Sequence, residues 1–520
     1  MDLPRTIVAC RAALESGEIS ALEVVEACIT RADESDASLG AYLRRFDAIA
    51  RSTARALDIR RRNGGHARPL DGIPIAVKDN IVDEVSGATA QSLVPLAGPP
   101  QPPVDATAVS RLRKAGAIIM GKTTTMEFAL GLPDPTKPFP IPRNPWDLNR
   151  WAGGSSSGSA AGTAAGLFLG AIGTDTAGSI RIPAAFTGVT GLKPTLGLVP
   201  SSGVIPLSYT QDHVGPLART AEDCAVLLSV LTGDVGMSTS TCARRYEDGL
   251  PLQLDGITIG FDDLDRFADN TADRAAGSLF QAAVDQLAAL GATVRRVKLP
   301  CYQELLATNL VITLAEAASI HRQAMSTKAE ELALGTRVML SGADAIGSAD
   351  YVHALRARRS LFRQVMTVFN TVDIVVTPVG HSGAPSLASI SGLHPLTATP
   401  SLHTPYWNPL GLPVLSIPMG FGQDGTPMGL SIAGPPFTDR AVLGVGHAYQ
   451  TQTGHHITIP QASDTLPGLQ RPPVPGKSDE QRAIESHRAA IRDMCELIGA
   501  MNFGVDTQPW LDSPLLPPTS

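Results

Sequence analysis

The chain has 520 residues, of which 43% are hydrophobic and 18% charged, so it carries enough apolar material for one large core or several ordinary ones. A formal net charge of −7 and the lack of a dense Lys/Arg run with interleaved aromatics exclude nucleic acid as an expected direct partner. Six scattered cysteines without a C-x-x-C pair predict neither a disulfide framework nor a zinc site, which fits a reduced, cytoplasmic setting.

The N-terminus has charges every few residues and no continuous apolar segment, so no export signal is expected. Ser20 with Glu23 forms a capping-box pattern ahead of Val24, Val25 and Ile29, and a second helical period runs from Phe46 to Arg60. DGIPIAVKDN (71–80) then turns to strand chemistry, with Ile73, Ile75 and Val77 on one face and Lys78 on the other. A helix around Thr107 to Lys114 leads into AGAIIMGK, whose AIIM core reads as a buried strand.

Prolines crowd 133–145 and predict a loop, since the ring can neither continue a helix nor donate within a central strand. The Gly/Ser run WAGGSSSGSAAGTAAG (151–166) follows. The strongly apolar stretch from Ala160 to Ile172 is too short for a membrane span of roughly 20 residues and predicts a buried helix.

Strands are expected at 256–263, at ATVRRVKL and at 373–378, with helices over Ala275–Leu290 and Asp350–Asn370 between them. Such alternation predicts the α/β class: a single large α/β/α domain with a mixed, mostly parallel sheet covered by helices on both faces. The chain divides into an N-terminal helical packing region (1–65), a catalytic body (66–460), and a linker with a C-terminal helical arm (461–520). That arm's helix has its capping-box pattern at Ser478 to Gln481 and presents Ile484, Ile491, Met494 and Ile498 on one face.

Two short motifs are misleading. GAIIMGKT (116–123) satisfies the phosphate-loop pattern, but its middle residues form an apolar strand instead of a loop with N–H groups turned to phosphate. GSSSG (154–158) matches the nucleophile elbow with Ser156 at its centre. That motif requires a strand immediately before it, and NPWDLNRWAG makes a poor one.

Separated pieces make a better pattern. Lys78 ends an apolar strand, Ser155 opens the Gly/Ser run, and Ser179 stands 24 residues later in DTAGSIR. GIPIAVKDN, GGSSSGSAAG and GTDTAGSIRIPAAFTGVTGLKPT resemble, in order and spacing, the lysine, Gly/Ser and nucleophile segments of the amidase signature family of serine hydrolases. AGAIIMGKTTTMEFALG, DHVGPLART and NPLGLPVLSIPMGF extend the likeness across roughly residues 15–455.

The resemblance implies a Ser-Ser-Lys triad: Ser179 as nucleophile, Ser155 after a cis peptide bond as relay, and Lys78 as base. It implies an oxyanion hole from the N–H groups of Thr176, Ala177, Gly178 and Ser179, with Ala177 where the family usually has glycine. Asp175 and Arg181 are expected to brace this loop through charge-assisted hydrogen bonds.

The chemistry suits those residue types. Hydrolysing an amide needs a nucleophile, a proton for nitrogen and a cradle for oxyanion charge. Lys acts as a base only when neutral, so burial must lower its pKa from about 10.4. No metal or cofactor is called for. The expected partner is a small-molecule amide, with no nucleic acid and no membrane, and a homodimer is compatible with the sequence.

Within the family, the glutamine-using subunit of a tRNA amidotransferase has a Tyr/Asp-containing segment just before its N-L-x-G-L-P motif. Here that stretch is SLHTPYWNPLGLP (401–413), without an acid, which weighs against glutamine and leaves this glutamine-hydrolysing amidotransferase component as the alternative. Met126, Phe139, Tyr406 and Trp407 are candidates for the substrate pocket and point to an apolar or aryl amide, including a carbamate or anilide. A non-catalytic binding protein with an amidase fold is the alternative from another class; the intact triad argues against it.

Overall fold

Side chains alternate between two hydrophobic cores along the strand Ile374–Pro378: Ile374 and Val376 enter one, Val375 the other. Period-two alternation of apolar residues on both faces means that helices cover both sides of the sheet. The computed structural model describes residues 4–95, 104–233, 245–390, 402–460 and 476–501.

In chain order the strands are β1 (Tyr42–Arg45), β2 (Pro74–Lys78), β3 (Ile118–Thr123), β4 (Arg143–Asn144), β5 (Asp147–Trp151), β6 (Gly170–Asp175) and β7 (Thr190–Lys193). Then come β8 (His213–Ala218), β9 (Thr258–Phe261), β10 (Thr293–Arg296), β11 (Ile374–Pro378), β12 (Val414–Phe421) and β13 (Pro427–Ala433). Eleven of them form one sheet in the order β1-β3-β2-β6-β8-β7-β12-β13-β11-β9-β10, while β4 and β5 pair separately.

The sheet is mixed, as expected, but it is not mostly parallel. Pairing is parallel in β3-β2-β6 and β11-β9-β10. It is antiparallel from β6 through β8, β7, β12 and β13 to β11, and again where β1 meets β3. Helical crossovers such as Thr107–Lys114 return the chain in the same direction, whereas the short turn between β12 and β13 reverses it.

The first core lies under the helices Ile7–Ser16, Ala21–Leu39, Ala221–Thr232, Ala276–Ala289 and Asp439–Gln452. The second lies under Tyr302–Lys328, Leu334–Ser341, Ser348–Met366 and Lys477–Gly499. The capping box at Ser20 is present, with Ser20 Oγ accepting from the Glu23 N–H and the Glu23 carboxylate accepting from the Ser20 N–H.

Three boundaries differ from expectation. Residues 1–65 are not purely helical, because β1 joins the sheet edge against β3. The stretch from Ala160 to Ile172 is no single helix: Ser157–Ala165 ends at Gly166 in the left-handed conformation (φ 77°), and the chain re-enters the sheet as β6. The C-terminal helix starts earlier, at Lys477, with the Asp479 carboxylate accepting from the Gly476 N–H. Its Ile491, Cys495 and Ile498 pack into the second core; 461–475 and 502–520 lie outside the described residues.

Candidate active site

The site forms at the carboxyl ends of two adjacent parallel strands. Lys78 is the last residue of β2 and Asp175 the last of β6, and the register Val77 to Ile172 carries both strand ends to the same edge. Between β5 and β6 the Gly/Ser run folds into a turn and the buried helix Ser157–Ala165.

Nothing about this run resembles a linker. Every residue from Trp151 to Ala164 is buried. A Cβ on Gly158 would lie 2.1 Å from the Ala41 carbonyl oxygen and 2.5 Å from Thr124 Oγ1, so only glycine lets this helix approach so closely. The peptide bond between Gly154 and Ser155 is cis.

Lys78 is fully buried. Its Nζ lies 2.8 Å from Ser155 Oγ, 2.8 Å from Thr174 Oγ1 and 3.5 Å from the Thr174 carbonyl oxygen. Asn80 Nδ2 donates to the same Thr174 hydroxyl at 3.0 Å. Burial lowers the Lys78 pKa to about 7, against a smaller upward pull from Asp175 and Asp212. A substantial neutral fraction therefore exists near neutral pH, and a neutral amine can accept the Ser155 proton.

A depressed pKa alone does not mark a base. Lys193 is also buried and lowered to about 7, by burial and by Arg181, yet its Nζ faces the Leu412 and Pro194 carbonyls and His213. What separates Lys78 is its hydroxyl partner.

Ser179 lies on the turn after β6 and is half-buried. Its carbonyl accepts from the Ser156 N–H at 3.0 Å, which ties this turn to the Gly/Ser turn. Among the described residues no hydrogen bond joins the Ser155 and Ser179 hydroxyls. Such bonds commonly tighten only when substrate binds.

Asp175 organises the Ser179 turn. Its carboxylate accepts from the Gly178 N–H at 2.8 Å, the Ile180 N–H at 3.2 Å, Arg181 Nε and Nη2 at 2.9 Å each, and Asn408 Nδ2 at 2.8 Å. Burial would raise its pKa, but the Arg181 charge and these donors outweigh burial and hold the carboxyl far below the usual range. The pair is wholly buried, and Arg181 also reaches the Thr404 carbonyl and Asn408 Oδ1.

This geometry changes one expectation. The Gly178 N–H is committed to Asp175, so it is not available as an oxyanion donor. The N–H groups of Thr176, Ala177 and Ser179 have no protein acceptor among the described residues. Gly178 is required for another reason: its φ is +128°, and a Cβ there would meet Thr404 Oγ1 at 2.1 Å.

The four pocket candidates separate. Met126 and Phe139 line one small cleft with Gln91, Thr125, Glu127 and Leu132. Tyr406 and Trp407 are each 1% exposed in the second core, and the Tyr406 hydroxyl donates to the Pro300 carbonyl, so they serve packing. The 401–413 segment reaches the Ser179 turn through other atoms: Thr404 Oγ1 donates to the Ala177 carbonyl at 2.8 Å and Asn408 holds Asp175.

Both misleading motifs resolve as structure. Ser156 is fully buried, with Oγ 3.2 Å from the Thr174 carbonyl oxygen, and a strand does precede it, but in the separate β4-β5 ribbon. Lys122 of GAIIMGKT is buried at the end of a strand, donating to the Gly87 carbonyl at 2.9 Å and pairing with Asp83 at 3.3 Å. Sequence reasoning overlooked Thr174, Asn80 and Asn408, although each stands inside a motif quoted for other residues.

The family model described as Amidase matches residues 23–443. A glutamyl-tRNA(Gln) amidotransferase subunit of Methylococcus capsulatus is 36% identical over 489 residues, covering 88% of this chain and 98% of that protein. A solved amidase is 32% identical with a TM-score of 0.76, covering 86% of this chain and 100% of its own. The peptide amidase of Stenotrophomonas maltophilia is 29% identical with a TM-score of 0.74, covering 88% and 98%. With the match spanning Lys78, Ser155 and Ser179, the chain belongs to the amidase signature family and is an enzyme of the amide C–N hydrolase type.

Proposed function

We propose that this enzyme hydrolyses a carboxamide through an acyl-enzyme on Ser179, with Ser155 and Lys78 as the proton relay. The observation that carries the reading is the 2.8 Å contact between Lys78 Nζ and Ser155 Oγ, in a setting where burial keeps part of the lysine neutral. Ser179 Oγ attacks the carbonyl carbon while its proton passes to Ser155 and the Ser155 proton to Lys78. The developing oxyanion faces the free N–H groups of Thr176, Ala177 and Ser179. Collapse breaks the C–N bond, and the departing nitrogen takes the proton back along the same path. Water then attacks the acyl group by the same relay and frees the acid.

For the substrate, similarity favours glutamine, because the relative that matches over 98% of its length is named for a glutamyl-tRNA(Gln) amidotransferase. That relative is named as one subunit of the amidotransferase, so other subunits are the partners to look for. An apolar or aryl amide is the second reading. It is supported by the lack of an acid in 401–413; Tyr406 and Trp407 no longer support it, and the cleft of Met126 and Phe139 is lined by none of Lys78, Ser155 and Ser179.

Steady-state hydrolysis of glutamine, benzamide and hexanamide, with ammonia as the common product, separates the two. A kcat/KM for glutamine more than about tenfold above the others, a margin of roughly 1.4 kcal/mol, supports the first reading. The reverse order supports the second. Ammonia release that survives Ser179→Ala would overturn the acyl-enzyme itself.

A further inference from the structure

Two carboxylates, Asp175 and Asp212, hold the turn that carries Ser179. Asp175 is neutralised at contact distance by Arg181, with both side chains fully buried. Asp212 has no such partner: among the described residues it forms no ion pair. Its oxygens accept from Thr176 Oγ1 at 2.6 Å and from the Leu207 and Ser208 N–H groups at 2.9 and 3.1 Å.

The Thr176 contact links Asp212 to catalysis. Thr176 opens the turn that carries the free N–H groups and Ser179, and helix Tyr302–Lys328 holds its other side, where Asn309 Nδ2 donates to the Thr176 carbonyl at 3.0 Å. The loop bearing Asp212 also reaches the Lys78 surroundings, since the Ile205 N–H donates to the Asn80 carbonyl at 2.7 Å. We infer that Asp212 is a positioning residue with two effects: it fixes the Thr176 end of the oxyanion turn, and it places a charge with no ion-pair partner among the described residues beside that turn. This rests on the Ser179, Ser155 and Lys78 reading above.

The electrostatics agree in direction: burial chiefly determines the Lys78 pKa, and the upward pull on it comes from Asp175 first and Asp212 after it. Burial raises the Asp212 pKa to about 6, against the pull of Thr176, Leu207, Ser208 and Lys78, so the group is charged at and above neutral pH. Other charges nearby are already engaged. Glu316 takes hydrogen bonds from Ser208 and Thr210 of the same loop. His213, whose pKa burial holds well below the ordinary value, contacts the Gln211 and Asp175 carbonyls through Nδ1. Asp79 is held by Thr89 and Gln91.

An anion near an amine favours its protonated form. Removing the charge therefore lowers the pKa of Lys78 and extends activity to lower pH. The test uses full pH profiles of kcat and kcat/KM for wild type, Asp212→Asn and Thr176→Val, on whichever of glutamine and benzamide wild type hydrolyses faster. Asp212→Asn is expected to move the acid limb of kcat/KM down by about half a pH unit and to lower kcat about tenfold with KM little changed. Thr176→Val removes the hydroxyl that helps hold the Asp212 carboxyl down, so it is expected to lower kcat similarly and to move the limb in the same direction by no more than Asp212→Asn does.

A limb that Asp212→Asn leaves unmoved, or moves upward, overturns the inference and reduces Asp212 to a structural brace. Activity that survives Lys78→Ala would instead bring down the triad reading on which it rests. If Asp212→Asn fails to fold, Thr176→Val still decides the positioning half: unchanged kcat in that variant refutes it.

Discussion

Lys78 Nζ and Ser155 Oγ, 77 residues apart in sequence, meet at 2.8 Å in a site where both side chains are almost closed to solvent. Parallel pairing of β2 with β6 brings the lysine to Thr174, and the buried turn at Ser155 delivers the hydroxyl. The contact gives Ser155, Ser156 and Ser179 different expected phenotypes.

Replacing the nucleophile, Ser179→Ala, is expected to lower kcat by at least about 10⁴-fold, and Ser155→Ala by about 10² to 10⁴-fold. Ser156→Ala should stay within about tenfold of wild type, because its buried hydroxyl contacts Thr174 backbone atoms and not Lys78. Mass spectrometry of the enzyme quenched during turnover checks the assignment directly, since the acyl adduct should map to the peptide containing Ser179.

The pH profile should rise toward an acid limb near 7, because only neutral Lys78 accepts a proton and burial lowers its pKa to about 7. Lys78→Arg holds the charge at every accessible pH and should show no such rise, with activity lost throughout. A wild-type rate that stays flat from pH 5 to pH 9, well either side of about 7, would rule Lys78 out as the base.

The same burial has a stability consequence. Lys78 has a lower pKa folded than its ordinary 10.5, so the unfolded chain binds more protons between about 7 and 10.5 and stability rises with pH across that window. Each unit is worth about 1.4 kcal/mol, so the lysine costs a few kcal/mol below pH 7. Lys78→Met should therefore be inactive yet more stable than wild type in urea at pH 6. The gap should narrow steadily toward pH 10.

Much of this was readable in the chain, and the parts that were not share a cause. Helix Thr107–Lys114 has the boundaries its periodicity predicts, and the capping box at Ser20 is present, because local chemistry alone decides both. The antiparallel centre of the sheet was not readable, since strand direction depends on how distant segments order themselves, which β8 and β7 do without a local signal. At the site, Lys78, Ser155 and Ser179 were legible as motif positions. That Tyr406 and Trp407 face the core depends on packing between distant segments, such as Tyr406 against Pro300, 106 residues away. That Gly178 spends its N–H on Asp175 is a contact only three residues long, but it exists only in the folded turn, which no residue pattern spells out.

The buried Asp175 and Arg181 pair yields the last expectation. Removing either charge leaves the other buried among the donors and acceptors arranged for it, and breaking a buried pair in this way typically costs about 3 to 5 kcal/mol. Asp175→Asn keeps the shape but loses the charge and one of the two oxygens that accept from Gly178, Ile180 and Arg181, which loosens the turn that carries Ser179. The pH dependence has a definite sign. The folded Asp175 pKa lies below its unfolded value, so its contribution to stability is present above about pH 4 and is lost as pH falls toward the folded value. Wild type should thus lose stability relative to Asp175→Asn as pH drops below 4, and unfolding midpoints measured in urea from pH 7 to pH 3 read the difference. Equal midpoint shifts at every pH would show that Asp175 stabilises the turn by shape rather than by charge.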